Sequence, residues 1–123
     1  MGSFKELIVY KKAFDLAMSI FAITKGFPVD EKYGLTSQIR RSSRSVCSNI
    51  AEGYRKRLYP AHFVAKASDA DMENAETSVW LDFALGCGYI DEHCHREFIS
   101  ANEEIGRLLA HMVNNPGKYR GSR

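Results

Sequence analysis

A chain of 123 residues and 13.9 kDa is the size of one domain with one core, too small for a separate cofactor domain. Hydrophobic residues make up 45% and charged residues 26%, a globular mix that excludes a disordered chain, and the formal net charge is only +2. No apolar run nears the roughly 18 residues that cross a bilayer, the first residues lack the apolar stretch of a signal peptide, and three cysteines make no disulfide framework. A reducing cytoplasm and no membrane partner are therefore expected.

Four helices are predicted in chain order. The first covers about Leu7 to Lys25, with Leu7, Tyr10, Ala13, Phe14, Ala17, Ile20, Phe21 and Thr24 recurring at spacings of three and four. Ser3 and Glu6 fit a capping box before it, and Gly26-Phe27-Pro28 ends it. The second covers about Leu35 to Leu58, with Leu35, Ile39, Val46, Ile50 and Tyr54 on one stripe and Ser42, Ser43 and Gly53 beside it. A glycine inside a helix costs about 1 kcal/mol against alanine, so Gly53 calls for a packing reason.

Pro60 suits the first position of a third helix that reaches Gly86. Phe63, Ala67, Ala70, Thr77, Leu81, Ala84 and Leu85 form its core stripe. Ala65, Met72, Val79 and Phe83 form a second stripe on the opposite side, with Trp80 between the two. A helix that is apolar nearly all round is expected to bury more than one face, and Met72, Val79, Trp80 and Phe83 are the candidate oligomer interface. Asp91 is a good N-cap for a fourth helix, Glu92 to Asn114, with Cys94, Phe98, Ala101, Ile105, Leu108 and Met112 facing inward. The fold class is all-α, an antiparallel up-down-up-down four-helix bundle. One domain over residues 1–117 is expected, followed by a flexible basic tail, 118–123. Asn49 and Asn74 fall on or beside core stripes, where each is expected to hydrogen-bond across a helix pair.

The small net charge conceals a division. From Leu35 to Leu58, Arg40, Arg41, Arg44, Arg55, Lys56 and Arg57 stand against Glu52, a net +5. From Pro60 to Gly88, Lys66 stands against Asp69, Asp71, Glu73, Glu76 and Asp82, a net −4. Arg41, Arg44 and Arg55 share the face opposite Ile39 and Ile50, with Ser37, Ser48 and Glu52 among them, and Arg40 lies to one side. Two readings follow. The arginines meet phosphates of RNA or DNA, which gives affinity without sequence specificity. Alternatively they pair with the carboxylates of helix three, within a subunit or across an interface. Arg55-Lys56-Arg57 also complements the dipole at the end of helix two.

Signals for catalysis are weak. His93-Cys94-His95 with Cys87 has the wrong spacing for zinc, because consecutive helical residues point about 100° apart. Cys47 reads as a small packed residue rather than a nucleophile. Glu73 and Glu76 lack the Glu-x-x-His partners of a di-iron bundle. There is no phosphate-binding glycine loop, no G-x-S-x-G and no H-E-x-x-H. No cofactor, no metal and no enzymatic activity are expected.

The run Gly34-Leu35-Thr36-Ser37-Gln38-Ile39-Arg40-Arg41, followed by Ser45-Val46-Cys47-Ser48-Asn49-Ile50-Ala51-Glu52-Gly53, resembles the signature of a known family. Its members are four-helix-bundle proteins encoded in intervening sequences of 23S ribosomal RNA genes, often labelled ribosomal proteins. Leu7 to Ala13, Phe27-Pro28 to Glu31, the Glu76 region and Gly88-Tyr89-Ile90 extend the resemblance over nearly the whole chain. One departure is Cys47, where many members carry proline. The resemblance implies an antiparallel bundle that assembles with itself into a homopentameric ring. The family in turn resembles the accessory proteins of diversity-generating retroelements, basic pentameric barrels that bind nucleic acid and a reverse transcriptase. A polymerase-type protein is thus a possible partner by resemblance. The resemblance supplies no catalytic residue, and Arg40, Arg41, Asn49 and Glu52 fit structural roles equally well. Two functional expectations stand: a ring-forming, nucleic-acid-binding bundle, or an oligomeric protein–protein scaffold whose arginines are paired internally.

Overall fold

The computed structural model describes residues 2–120. A 3-10 turn at Phe4–Glu6 leads into α1 (Ile8–Thr24), and a second at Val29–Glu31 precedes α2 (Leu35–Arg55). α3 (Pro60–Gly86) and α4 (Glu92–Asn114) follow, and a last 3-10 turn spans Pro116–Lys118. No strand occurs among the described residues. α2 packs on α3, α3 on α4, and α1 on both α2 and α4. With short links at Lys56–Tyr59 and Cys87–Asp91, this is an antiparallel four-helix bundle.

Local chemistry sets the helix ends. Ser3 caps the first 3-10 turn through Lys5 N–H at 3.0 Å, so α1 begins only at Ile8, after Leu7. Glu31 takes the place of a capping side chain for α2: its Oε1 accepts the Leu35 N–H at 3.0 Å. Pro60 occupies the first turn of α3, where its missing N–H costs no helix bond. Asp91 accepts the Cys94 N–H at 2.8 Å and starts α4. α2 stops at Arg55, short of the expected Leu58.

The core is built from Ile20, Ile39, Ile50, Phe63, Leu81, Ile105, Leu109 and Met112, all fully buried, with smaller residues between them. α1 departs from the expected stripe. Val9 and Leu16 face inward, whereas Phe14 is 48% exposed. In α4, Asn102 and Leu109 are buried, while Leu108 is only half-buried.

α2 and α3 approach closely at Gly53. A Cβ there would stand 3.0 Å from the Lys66 Cβ and 3.7 Å from the Phe63 carbonyl oxygen. Further along, Ser42 and Thr77 hydroxyls meet at 2.8 Å in the interior, and the Thr77 hydroxyl donates a hydrogen bond to the Glu73 carbonyl at 2.9 Å. On the other side of α3, Asn74 donates to the Asn102 carbonyl at 2.8 Å, and Asn102 donates back to the Asn74 carbonyl at 2.8 Å. Asn74 therefore bonds across a helix pair as expected. Asn49 does not: its amide donates to the Ser45 carbonyl of its own helix at 3.0 Å, because a half-buried side chain one turn on reaches that oxygen first.

At the C-terminus, Tyr119 stacks on the buried Phe63 with ring centroids 5.6 Å apart, and its hydroxyl meets His111 Nδ1 at 2.8 Å. Residues 121–123 of the expected tail lie outside the described residues.

Candidate nucleic-acid interface

α2 turns its polar flank outward because Leu35, Ile39, Val46 and Ile50 turn the opposite flank into the core. The outward flank, with the turn before it, forms a shallow groove of about 640 Å³. Its cations are Lys32, Arg40, Arg41 and Arg44, and its hydroxyls include Thr36, Ser37, Ser45 and Ser48. Arg40 is drawn in from the side by two contacts. Its Nε donates to Thr24 Oγ1 at 2.8 Å, and its guanidinium lies 4.8 Å from the Phe21 ring centroid. Arg44 lies 5.7 Å from the same ring and Lys25 4.8 Å, so the half-buried Phe21 of α1 supports three cations. A cation held over an aromatic face keeps its charge and loses conformational freedom, which suits it to anion binding.

Arg41 differs from its neighbours. It bridges α2 to α3, donating to Glu73 at 3.1 Å and forming a second ion pair with Glu76. Glu76 also accepts the Trp80 indole N–H at 3.0 Å. The hydrogen bond that Arg41 donates to Glu76, and then the one to Glu73, raises the Arg41 pKa above its ordinary value. Among the described residues, Arg40, Arg44, Arg55, Lys56 and Arg57 form no ion pair with a carboxylate. The other α2–α3 pair has the reverse sense, Lys66 of α3 with Glu52 of α2 at 2.8 Å.

Arg55, Lys56 and Arg57 do not reach the groove. Arg55 stands eleven residues beyond Arg44, about 16 Å along the axis, although on the same face. Arg57 folds back over Tyr54, 4.2 Å from its ring, and donates to the Tyr54 carbonyl at 3.1 Å. It thus satisfies a carbonyl at the end of α2.

The candidate interface residues of α3 form an exposed strip: Met72 is 60% exposed, Val79 46% and Phe83 56%. Trp80 is half-buried and lies 6.0 Å from Phe83, ring to ring. A second apolar groove, about 320 Å³, runs between α1 and α2 and is lined by Tyr10, Phe14, Ala17, Met18, Cys47 and Ala51 among others. Burial pushes the Cys47 thiol up to about 11, the opposite of what a nucleophile needs. His93 faces Glu97 at 3.3 Å and His95 faces Asp82 at 2.8 Å, so the two histidines diverge. Among the described residues, no three His, Cys, Asp or Glu side chains converge as a metal site. No helix among them is long and apolar enough to cross a membrane.

Lys32, Tyr33, Thr36 and Ser45 escape sequence reasoning, whereas Ser37 and Ser48 fall on the arginine face as expected. Lys32 and Tyr33 sit in a turn with no periodicity to mark them. Their one signal is their position immediately before a basic helix.

Bundle geometry and a basic outer flank on α2 define the class: an all-α four-helix protein with a cationic groove on its surface. Residues 5–111 match the 23S rRNA-intervening sequence protein family, and the chain belongs to that family. A solved structure from Bacteroides thetaiotaomicron, a protein with unknown function from the S23 ribosomal protein family, is similar. It is 27% identical, with a TM-score of 0.79 over 87% of this chain and 96% of that one. Among curated proteins no match is found.

Proposed function

We propose that this is a self-associating binding protein, not a catalyst, that holds RNA or DNA by its phosphates in the α2 groove. The observation that carries this reading is the groove itself. Lys32, Arg40 and Arg44 line it without carboxylate partners among the described residues. Self-association is supported by the exposed Met72, Val79 and Phe83, which a second copy would cover. The resemblance makes five copies the expected number. Repetition of one weak groove around a ring raises the affinity for a long strand without any new contact.

Fluorescence anisotropy with labelled RNA hairpin, duplex DNA and single strands across a salt series tests the reading. Binding should fall steeply with salt, with a logarithmic slope of about 0.9 per duplex phosphate and about 0.7 per single-strand phosphate neutralised. Absence of binding at low salt would sink it. Light scattering should give a mass near five times the 13.9 kDa subunit.

The paired Arg41 favours a second reading, an oligomeric scaffold that presents its surface to a protein partner such as a polymerase. On that reading, charge reversal at Arg41 disturbs assembly and nucleic acid has no measurable affinity.

A further inference from the structure

The cations explain phosphate, but not the ring that stands beside them. Tyr33 is 86% exposed, more than any other large hydrophobic side chain among the described residues, and it lines the same groove as Arg40 and Arg44. Its exposure is not that of a loosely held turn. Gly34 N–H bonds to the Glu31 carbonyl at 2.9 Å, and Lys32 N–H to the Val29 carbonyl at 3.0 Å. The Glu31 carboxylate is fixed in turn by the Leu35 N–H at 3.0 Å and the Tyr89 hydroxyl at 2.9 Å. A well-anchored backbone therefore presents an aromatic ring to solvent, where it gains nothing from burial.

Two further facts narrow what that ring meets. The Glu31 carboxylate already occupies the N-terminus of α2, so an anion is directed to the flank of the helix rather than to its end. Phe21 already carries Lys25, Arg40 and Arg44 against its ring. Tyr33 carries one cation, the Lys32 ammonium, 5.4 Å from its ring centroid. An open aromatic face at the mouth of a cationic groove is the arrangement that binds a strand by stacking one base while cations hold the adjacent phosphates. A duplex keeps its bases stacked inside and gives such a ring nothing to cover.

We infer that the groove takes single-stranded RNA or DNA, with one base stacked on Tyr33 and the neighbouring phosphates on Lys32, Arg40 and Arg44. The inference rests on the phosphate-binding reading above and names its ligand class. Stacking accepts any base, so the site selects strandedness rather than sequence.

The test uses fluorescein-labelled oligothymidylate and a duplex of equal length, with wild type, Tyr33→Ala, Tyr33→Phe and Arg44→Glu. Tyr33→Ala should weaken single-strand binding by roughly 5- to 100-fold while leaving its salt slope and duplex binding unchanged. Tyr33→Phe should stay within about twofold of wild type, because the ring face is retained. Arg44→Glu should weaken both ligands and lower the single-strand slope by about 0.7. Single-strand affinity unaltered in Tyr33→Ala, or lowered equally for duplex, overturns the stacking inference and leaves the phosphate reading intact. A changed mass for Tyr33→Ala in light scattering also overturns it, by assigning the ring to a subunit contact. Absence of binding to either probe at low salt overturns the inference together with the reading beneath it.

Discussion

α2 and α3 meet along the most extensive helix–helix contact in the bundle, yet they turn different chemistry to solvent. Their inner faces are alike: small residues and hydroxyls allow close approach at Gly53 and at Ser42–Thr77. Outward, α2 presents Arg40, Arg44 and serines, whereas α3 presents Met72, Val79 and Phe83. Packing fixes the inner faces and leaves the outer ones to be set by what they meet. Charge outside suits phosphate, and apolar surface outside suits a second protein surface. Arg41 stands at the boundary, on the flank of α2 but tied to carboxylates of α3.

The comparison is broken most strongly from inside. Leu81→Ala, on the buried face of α3, should cost about 2–5 kcal/mol in urea unfolding. Phe83→Ser, two residues on but outward, should cost the single chain well under that and lower the assembled mass in light scattering. If Phe83→Ser unfolded the monomer while Leu81→Ala did not, the division of α3 into two faces would be wrong. On α2, Arg40→Glu with Arg44→Glu should reduce nucleic-acid affinity by at least about tenfold at low salt, since two cations become two anions. Unfolding midpoints should move little, and a collapse of stability instead would assign these arginines to the fold.

Glu73→Gln with Glu76→Gln sharpens the boundary. Arg41 is half-exposed, so loss of its ion pairs should cost under about 1 kcal/mol. The released guanidinium should raise nucleic-acid affinity, and an unchanged or lower affinity would show that Arg41 takes no part. The smallest effect is a pH dependence. The hydrogen bond from Leu35 N–H, then that from Tyr89, holds the Glu31 carboxyl below its ordinary value of 4.5. A pKa lower in the folded than in the unfolded chain gives stability that is full above about pH 4.5 and fades as pH falls through the folded value. Glu31→Gln should flatten the acid limb of a stability–pH profile, and an equally steep limb would refute the assignment.

Much of the bundle was legible because burial on a helix leaves a period of 3.6, and α2 and α3 follow it. Gly53 and Asn74 stood out as residues that a helix tolerates only for a reason. α1 was harder, because it carries more apolar residues than one face accepts, and Phe14 lost to Val9 and Leu16. Asn102 went unnoticed because its polarity hides it among surface residues, and its partner lies on another helix. The site was legible only as charge. Whether Arg41 pairs with Glu73 and Glu76 depends on how α2 and α3 face each other. Spacing along one helix cannot reveal it, nor the cluster around Phe21.

The reciprocal Asn74–Asn102 bonds act as a gauge for α3. A slip of one residue would rotate the helix by about 100° and carry Phe83 and Val79 away from the outward strip that self-association is proposed to use. In a closed assembly every joint repeats the same angular error, and the errors accumulate around the circuit until the last joint fails to meet the first. In the proposed ring, two amides in the interior of one subunit would thereby set the tolerance of the whole.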